Sequence, residues 1–356
     1  LWVADMDFRS PPCVLEALER RVHHGVFGYT EPDGRYHEAV QNWFWERHGW
    51  RTEEAWLTLA SGVMPAIHSA ILAFTAPGDA VVIQEPVYYP FAEAVRLTGR
   101  RLVVNELPLD GDGRYTIDLE GFERKVLRTG AQLLLLCSPH NPVGRVWTEG
   151  ELRALGEVCL RHGVKVVADE IHQDFVYGDN RHTVFAGLSD ELADITVTCT
   201  APTKTFNLAG VGIANIFIGN EALRGAFRRA QEKSGLSGAS ALGLTACRAA
   251  YEGGQAWLAE LLSYLGRSME MVEVAAEGWR GARFNRPEGT YLTWIGFHDV
   301  LLTDTDLSNF LLKRARVWLS DGHQFGAGGS GYMRLNAATT HSLLREALER
   351  ISEALR

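Results

Sequence analysis

Lys204 lies in the run Thr200-Ala201-Pro202-Thr203-Lys204-Thr205-Phe206-Asn207-Leu208-Ala209-Gly210, directly after the β-branched stretch Ile195-Thr196-Val197-Thr198. A lysine just past the carboxyl end of a buried strand occupies the place where open α/β sheets build ligand sites. Such an amine can form a Schiff base with a carbonyl compound and, once released, act as a base. Taken alone, a lysine is ordinarily a solvated surface charge. The other strand ends of this chain change that reading.

Asp169 and Glu170 follow the apolar run Val166-Val167-Ala168. An acid there is either a helix N-cap or a carboxylate that pairs with a protonated ring nitrogen. Asn141, in Ser138-Pro139-His140-Asn141-Pro142-Val143-Gly144, follows a leucine-rich run, and Asn-Pro alone is common turn chemistry. The gaps from 141 to 169 and from 169 to 204 are each near the ~30 residues of one βαβ unit. The three side chains can therefore converge at one sheet edge. Ser61-Gly62-Val63 opens a helix-like segment running to Phe74. It reads either as an ordinary serine cap or as backbone N–H groups that cradle a phosphate. Tyr88 and Tyr89, in Pro86-Val87-Tyr88-Tyr89-Pro90-Phe91, either pack the core or offer a ring for stacking on a flat heteroaromatic group. Arg334 lies between Met333 and Leu335. It is a surface residue on the alternate face or, if buried, a bidentate clamp for a carboxylate. Gly326-Ala327-Gly328-Gly329-Ser330-Gly331 matches G-x-G-x-x-G but leads into a strand-like segment, so it fails the dinucleotide-binding context.

The elements that would position these residues are legible as alternating segments. Ala80–Gln84, Gln132–Cys137, Val164–Ala168 and Ile195–Thr198 read as strands buried on both faces, and Ile213–Ile218 as a further strand. Between them lie amphipathic helices. The clearest runs from Glu149 to Arg161, with a Thr148/Glu151 capping box and Gly163 as its stop. Alternation of this kind predicts an α/β fold, a large domain with a mostly parallel sheet flanked by helices. After Leu242 a long helical pattern ends near Trp279. The segments Thr290–Ile295, Val317–Leu319 and Tyr332–Asn336 then read as strands, with helices from Asp304 to Arg314 and from His341. This part reads as a smaller α+β domain. The expected division is 30–270 for the large domain, and 1–29 with 271–356 for the small one.

At 356 residues the chain has room for two such domains. It is 46% hydrophobic and 22% charged, with a net charge of −9 from interspersed acids and bases. That balance argues against a general nucleic-acid or anionic-membrane binder. No apolar run approaches the ~20 residues needed to cross a bilayer. The five cysteines (Cys13, Cys137, Cys159, Cys199 and Cys247) are scattered without a Cys-x-x-Cys. They read as reduced core thiols, and the compartment as cytoplasmic.

Taken together these residues resemble the class I/II aminotransferase superfamily, the fold-type I pyridoxal-phosphate (PLP) enzymes. Trp2–Phe8, Pro86–Phe91, Ser138–Gly144, Ala168–His172 and Lys204–Gly210 resemble its cystathionine β-lyase, or C–S lyase, subgroup. The resemblance implies that Lys204 carries PLP and removes the substrate's Cα proton. Asp169 would keep the pyridine nitrogen protonated, Asn141 and His172 would serve the ring's 3′-oxygen, and Tyr88 would stack on the ring. Ser61, Gly62, Val63 and Thr203 would contact the phosphate, Arg334 would hold the substrate α-carboxylate, and Asn141 would also serve the substrate. Tyr29 would reach the phosphate of a neighbouring subunit, which implies a homodimer acting on a small amino-acid substrate.

Two residues depart from the superfamily pattern. Gly212 stands where many aminotransferases have a phosphate-binding arginine, and Asp321 precedes Gly322 where a proline is common. The chain also reads as shorter at its N-terminus than the family. The expected activity is C–S β-elimination from cystathionine or a related cysteine S-conjugate, with metal-free chemistry. An aminotransferase is the alternative, and a non-catalytic effector-sensing module is a remote one.

Overall fold

The computed structural model describes residues 1–236, 238–279, 281–297, 300 and 304–356. In chain order its strands are β1 (Leu57–Ala60), β2 (Ala80–Glu85), β3 (Arg101–Glu106), β4 (Leu133–Cys137), β5 (Lys165–Asp169), β6 (Thr196–Thr200), β7 (Ala214–Phe217), β8 (Arg283–Phe284), β9 (Leu292–Gly296), β10 (Ser320–Asp321) and β11 (Tyr332–Asn336). A seven-stranded sheet has the order β1-β7-β6-β5-β4-β2-β3. From β3 through β6 every pair is parallel, and β7 is antiparallel to both β6 and β1.

Helices cover both faces of this sheet, which is why its central strands are apolar throughout. All of β4 is buried. Leu133 and Leu135 pack with Ile67 and Phe91 on one side, whereas Leu134 and Leu136 pack with Leu152 and Leu155 on the other. Leu152 and Leu155 belong to the helix Glu149–His162, whose capping box forms as the sequence predicts and whose end is closed by left-handed Gly163.

The register is what builds a site. Cys137 of β4, Asp169 of β5 and Cys199 of β6 are direct partners, so three parallel strands finish level with one another. The chain segments that leave them carry Asn141, His172 and Lys204 to one edge.

A second, antiparallel sheet has the order β10-β11-β9-β8. Ile295 and Met333 of this sheet share a core with Leu265 and Met269 of the helix Gln255–Glu277 and with Leu344 and Leu348 of the helix His341–Ala354. The sequence reading needs correction here. Val317–Leu319 is not a strand, because pairing with β11 begins only at Ser320. Thr290 precedes β9 in a left-handed conformation (φ 67°), so the strand starts at Leu292. The expected helix from Asp304 is α-helical to Phe310 and widens to a π-type turn at Leu311–Ala315. The glycine-rich run forms a short 3₁₀ turn rather than a helix entry. Gly326 (φ 115°) is needed there because a Cβ would strike the Glu85 carboxylate.

The first eight residues form a strap between the two sheets. The Leu1 carbonyl accepts from Asn336 N, and Asp7 N donates to the Ala338 carbonyl. Asn207, itself left-handed (φ 57°), grips Met6 and Phe8 through its side-chain amide.

Candidate active site

A cavity of about 310 Å³ opens where the flush ends of β4, β5 and β6 meet the strap and β11. Its lining includes Lys204, Asp169, Asn141, His172, Tyr88, Gly62, Val63 and Arg334. Of the residues singled out in the sequence, these eight are brought together, and Tyr89 with them. Ser61 and Thr203 do not line it, and Tyr29 stands fully exposed elsewhere.

Each position has a local cause. Lys204 rides on the one-turn helix Pro202–Thr205 immediately after β6. Its Nζ donates to the Ala4 carbonyl at 2.5 Å. Burial lowers its proton affinity, and Arg334 adds to that effect against the opposing pull of Asp5 and Asp169. Asp169 ends β5 rather than capping a long helix, and its carboxylate accepts from Ile171 N at 3.1 Å. Burial pushes its carboxyl up to about 7. A positive group beside it would favour its charged form.

Asn141 is held from two sides. Its backbone N–H donates to Cys137 Sγ at 3.4 Å, and its Oδ1 accepts from Arg334 Nη1 at 3.0 Å. Its carbonyl accepts from Tyr88 N at 3.0 Å, which ties the tyrosine loop to the asparagine turn. His172 is buried, and that burial, with Lys204 and Arg334 nearby, keeps its imidazole neutral.

Arg334 is only 4% exposed, which removes the surface reading. Nη2 donates to the Trp2 carbonyl at 2.9 Å and to Ser320 Oγ at 3.3 Å. Among the described residues no carboxylate pairs with it, and its Nε has no partner. A buried cation held only by neutral acceptors is poised for an anion.

The helix Val63–Phe74 has no side-chain cap, so Ser61 is not the N-cap that one reading allowed. Its opening residues Val63, Met64 and Pro65 line the cavity, and Pro65 contributes no N–H at all. The uncapped amides of Val63 and Met64 are suited to a phosphate.

Gly212 has a φ of 67°, a conformation in which an arginine would be strained. No guanidinium stands at this position, so the uncapped amides are the candidate donors for a phosphate here.

The residues fit pyridoxal phosphate on these grounds: an amine for its aldehyde, a buried carboxylate for its ring nitrogen, an uncapped helix for its phosphate, and the unpartnered His172 Nδ1 within the cavity wall. The sequence reading did not single out Met64, Pro65, Ile171, Ser320 or Gln324, which also line the cavity. For Ile171 the signal was its place beside Asp169. Ser320 and Gln324 carried none, since only the packing of the second sheet brings them in.

The sequence model for aminotransferase class I and II matches residues 1–351. The chain is 44% identical over its full length to cystathionine beta-lyase PatB of Bacillus subtilis (strain 168), of which it covers 92%. Its fold matches that of cystalysin from Treponema denticola, which contains a pyridoxal 5′-phosphate cofactor. The TM-score is 0.97 at 37% identity, over 100% of this chain and 90% of that one. The PLP-bound C-S lyase from Staphylococcus hominis gives a TM-score of 0.93 at 30% identity, again over 100% and 90%.

Proposed function

Because this chain belongs to the class I and II aminotransferase family, we propose that it is a pyridoxal-phosphate-dependent C–S β-lyase. Its substrates would be cystathionine or related cysteine S-conjugates, and its products pyruvate, ammonia and a thiol. The observation that carries this reading is the convergence of a half-buried lysine, a buried carboxylate and an acid-free buried arginine on one cavity.

When bound, pyridoxal phosphate supplies an electron sink for the pair left on Cα as its proton departs. Lys204 holds the cofactor, then takes that proton on Nζ. Burial and Arg334 lower its proton affinity, which favours the free amine that this role needs. Asp169 would keep a proton on the ring nitrogen. Tyr88 would stack on the ring, while Asn141 and His172 would serve its 3′-oxygen. Gly62 and Val63 would meet the phosphate through backbone N–H groups, and Ser61 and Thr203, which do not line the cavity, would reach it through their hydroxyls. Arg334 takes the substrate carboxylate, and Asn141 steadies the guanidinium. The bond from Cβ to sulfur breaks with its electron pair on sulfur, and the thiolate leaves. The remaining three-carbon fragment hydrolyses in water to pyruvate and ammonia.

The active assembly in this reading is a homodimer. Val26, Phe27 and Tyr29 are exposed together on a segment with no helix or strand, as an interface segment requires. Tyr29 would serve the neighbouring site's phosphate. We assign two domains divided as the sequence suggests, although the helix Gln255–Glu277 runs through the division. Five free cysteines, four of them buried, favour the cytoplasm. Among the described residues no helix is long and apolar enough to cross a membrane.

The test is pyruvate release from L-cystathionine by the PLP-loaded protein with no keto acid present. Sustained pyruvate with equimolar thiol is expected. Amino-group transfer to an added keto acid without pyruvate would make the protein an aminotransferase instead.

A further inference from the structure

The Ala4 carbonyl has two donors. Lys204 Nζ reaches it at 2.5 Å, and the Tyr291 hydroxyl reaches it at 2.9 Å. A carbonyl oxygen has two lone pairs, so both bonds can stand together. The tyrosine is buried, its ring edge-on to Phe175 at 4.8 Å and to His172 at 5.7 Å. It does not line the cavity, so it reaches the lysine only through the strap.

Two further observations show that this arrangement is held in place. Thr290, the residue before Tyr291, is left-handed at φ 67°, an outlier for a β-branched side chain. It is fixed by its N–H on the Phe175 carbonyl at 3.0 Å and by the Leu292 N–H on its own hydroxyl at 3.2 Å. Asn207, three residues beyond Lys204 and also left-handed, clamps the strap on its other side. Strain of this kind persists where the surrounding structure over-determines it.

We propose that Tyr291 is a positioning residue for Lys204: by occupying one lone pair of the Ala4 carbonyl it fixes the resting place of the free lysine amine and limits how tightly that carbonyl holds the ammonium form. The proposal rests on the PLP reading of Lys204. A lysine that must alternately hold and give up a proton needs an acceptor that orients it without trapping it. A carbonyl already bonded to a second donor meets that need, because the shared oxygen binds each donor less strongly. The charged and titratable groups facing Lys204 are Arg334 and Asp5 and Asp169. His172, also near the lysine, is neutral, and Tyr291 acts through the shared oxygen.

The test compares Tyr291→Phe with wild type, and with Tyr177→Phe as a control. The Tyr177 hydroxyl is buried with no hydrogen-bond partner among the described residues, so its loss removes a buried oxygen without touching Ala4. Cofactor-free protein is mixed with pyridoxal phosphate across a pH series, and the rate of borohydride-stable attachment is followed. Attack on the aldehyde requires the amine's lone pair, so this rate follows the unprotonated fraction of Lys204. In Tyr291→Phe the midpoint should move upward by about half a pH unit, the size of one modest hydrogen bond. The acid limb of kcat in the loaded enzyme should move the same way, with KM little changed. The control should leave the midpoint in place.

An unmoved or lowered midpoint in Tyr291→Phe, or an equal shift in the control, overturns the proposal. Should wild type itself form no attachment, or Lys204→Ala form one equally well, the PLP reading of Lys204 fails instead.

Discussion

Asp169 is a residue whose usefulness and cost have the same origin. Its folded carboxyl keeps a proton to about 7, whereas the ordinary value is 3.8. Between those values the unfolded chain binds fewer protons than the folded one, so stability falls as pH rises and levels off once both forms are ionised. Asp169→Asn should therefore be more stable than wild type in cofactor-free protein. Its advantage should grow by roughly 3 kcal/mol from pH 5 to pH 8. Urea unfolding at the two pH values measures this, and a constant difference would refute it. The same variant, loaded with PLP, should lose most of its lyase activity. At this scale much of the candidate site was legible, because Lys204, Asp169 and Asn141 all sit at strand ends a βαβ unit apart. Arg334 was ambiguous between burial and exposure until β11 was seen paired on both sides. Tyr291 was hidden, since its part depends on the backbone of a strap almost three hundred residues away.

Among the elements, the turn that carries Asn141 depends on an ion cluster at its far end. Arg145, 3% exposed, bonds Glu288 at 3.0 Å and both oxygens of Glu151 at 3.0 and 2.9 Å, and it also donates to the Tyr115 carbonyl. Its carbonyl accepts from His140 N at 2.8 Å, which closes the turn. Arg145→Ala takes the cation from Glu151 and leaves Glu288 with Arg114 alone among the described residues. It should cost about 3 kcal/mol in a denaturant melt and weaken cofactor affinity by loosening Asn141. Full retention of both stability and affinity would refute that coupling. The central strands could be read from sequence because they are buried on both faces. β3 could not, since it is an edge strand and its sequence mixes Arg101, Asn105 and Glu106 with apolar residues. β1 and β8, with four and two residues, are too short to show a period. The Val317–Leu319 reading failed because buried Val317 and Leu319 belong to a connection that enters the core without pairing.

At the scale of the whole molecule, the reading of Tyr29 as a residue shared between subunits has a direct consequence. Lys204→Ala and Tyr29→Ala should each be nearly inactive. When they are unfolded and refolded together, random pairing gives mixed dimers in which one site has both native residues. About a quarter of wild-type activity should return. No recovery would mean that Tyr29 serves its own subunit or none. The strap has a temporal side as well. Arg334 bonds the Trp2 carbonyl across 332 positions of chain, and Lys204 bonds Ala4 across 200. A nascent chain emerges from its N-terminus, so its first residues exist long before their partners do. The catalytic pocket must then be among the last features to mature. Refolding should show most secondary structure returning before the stack of Trp2 on Trp318 forms and changes the tryptophan emission.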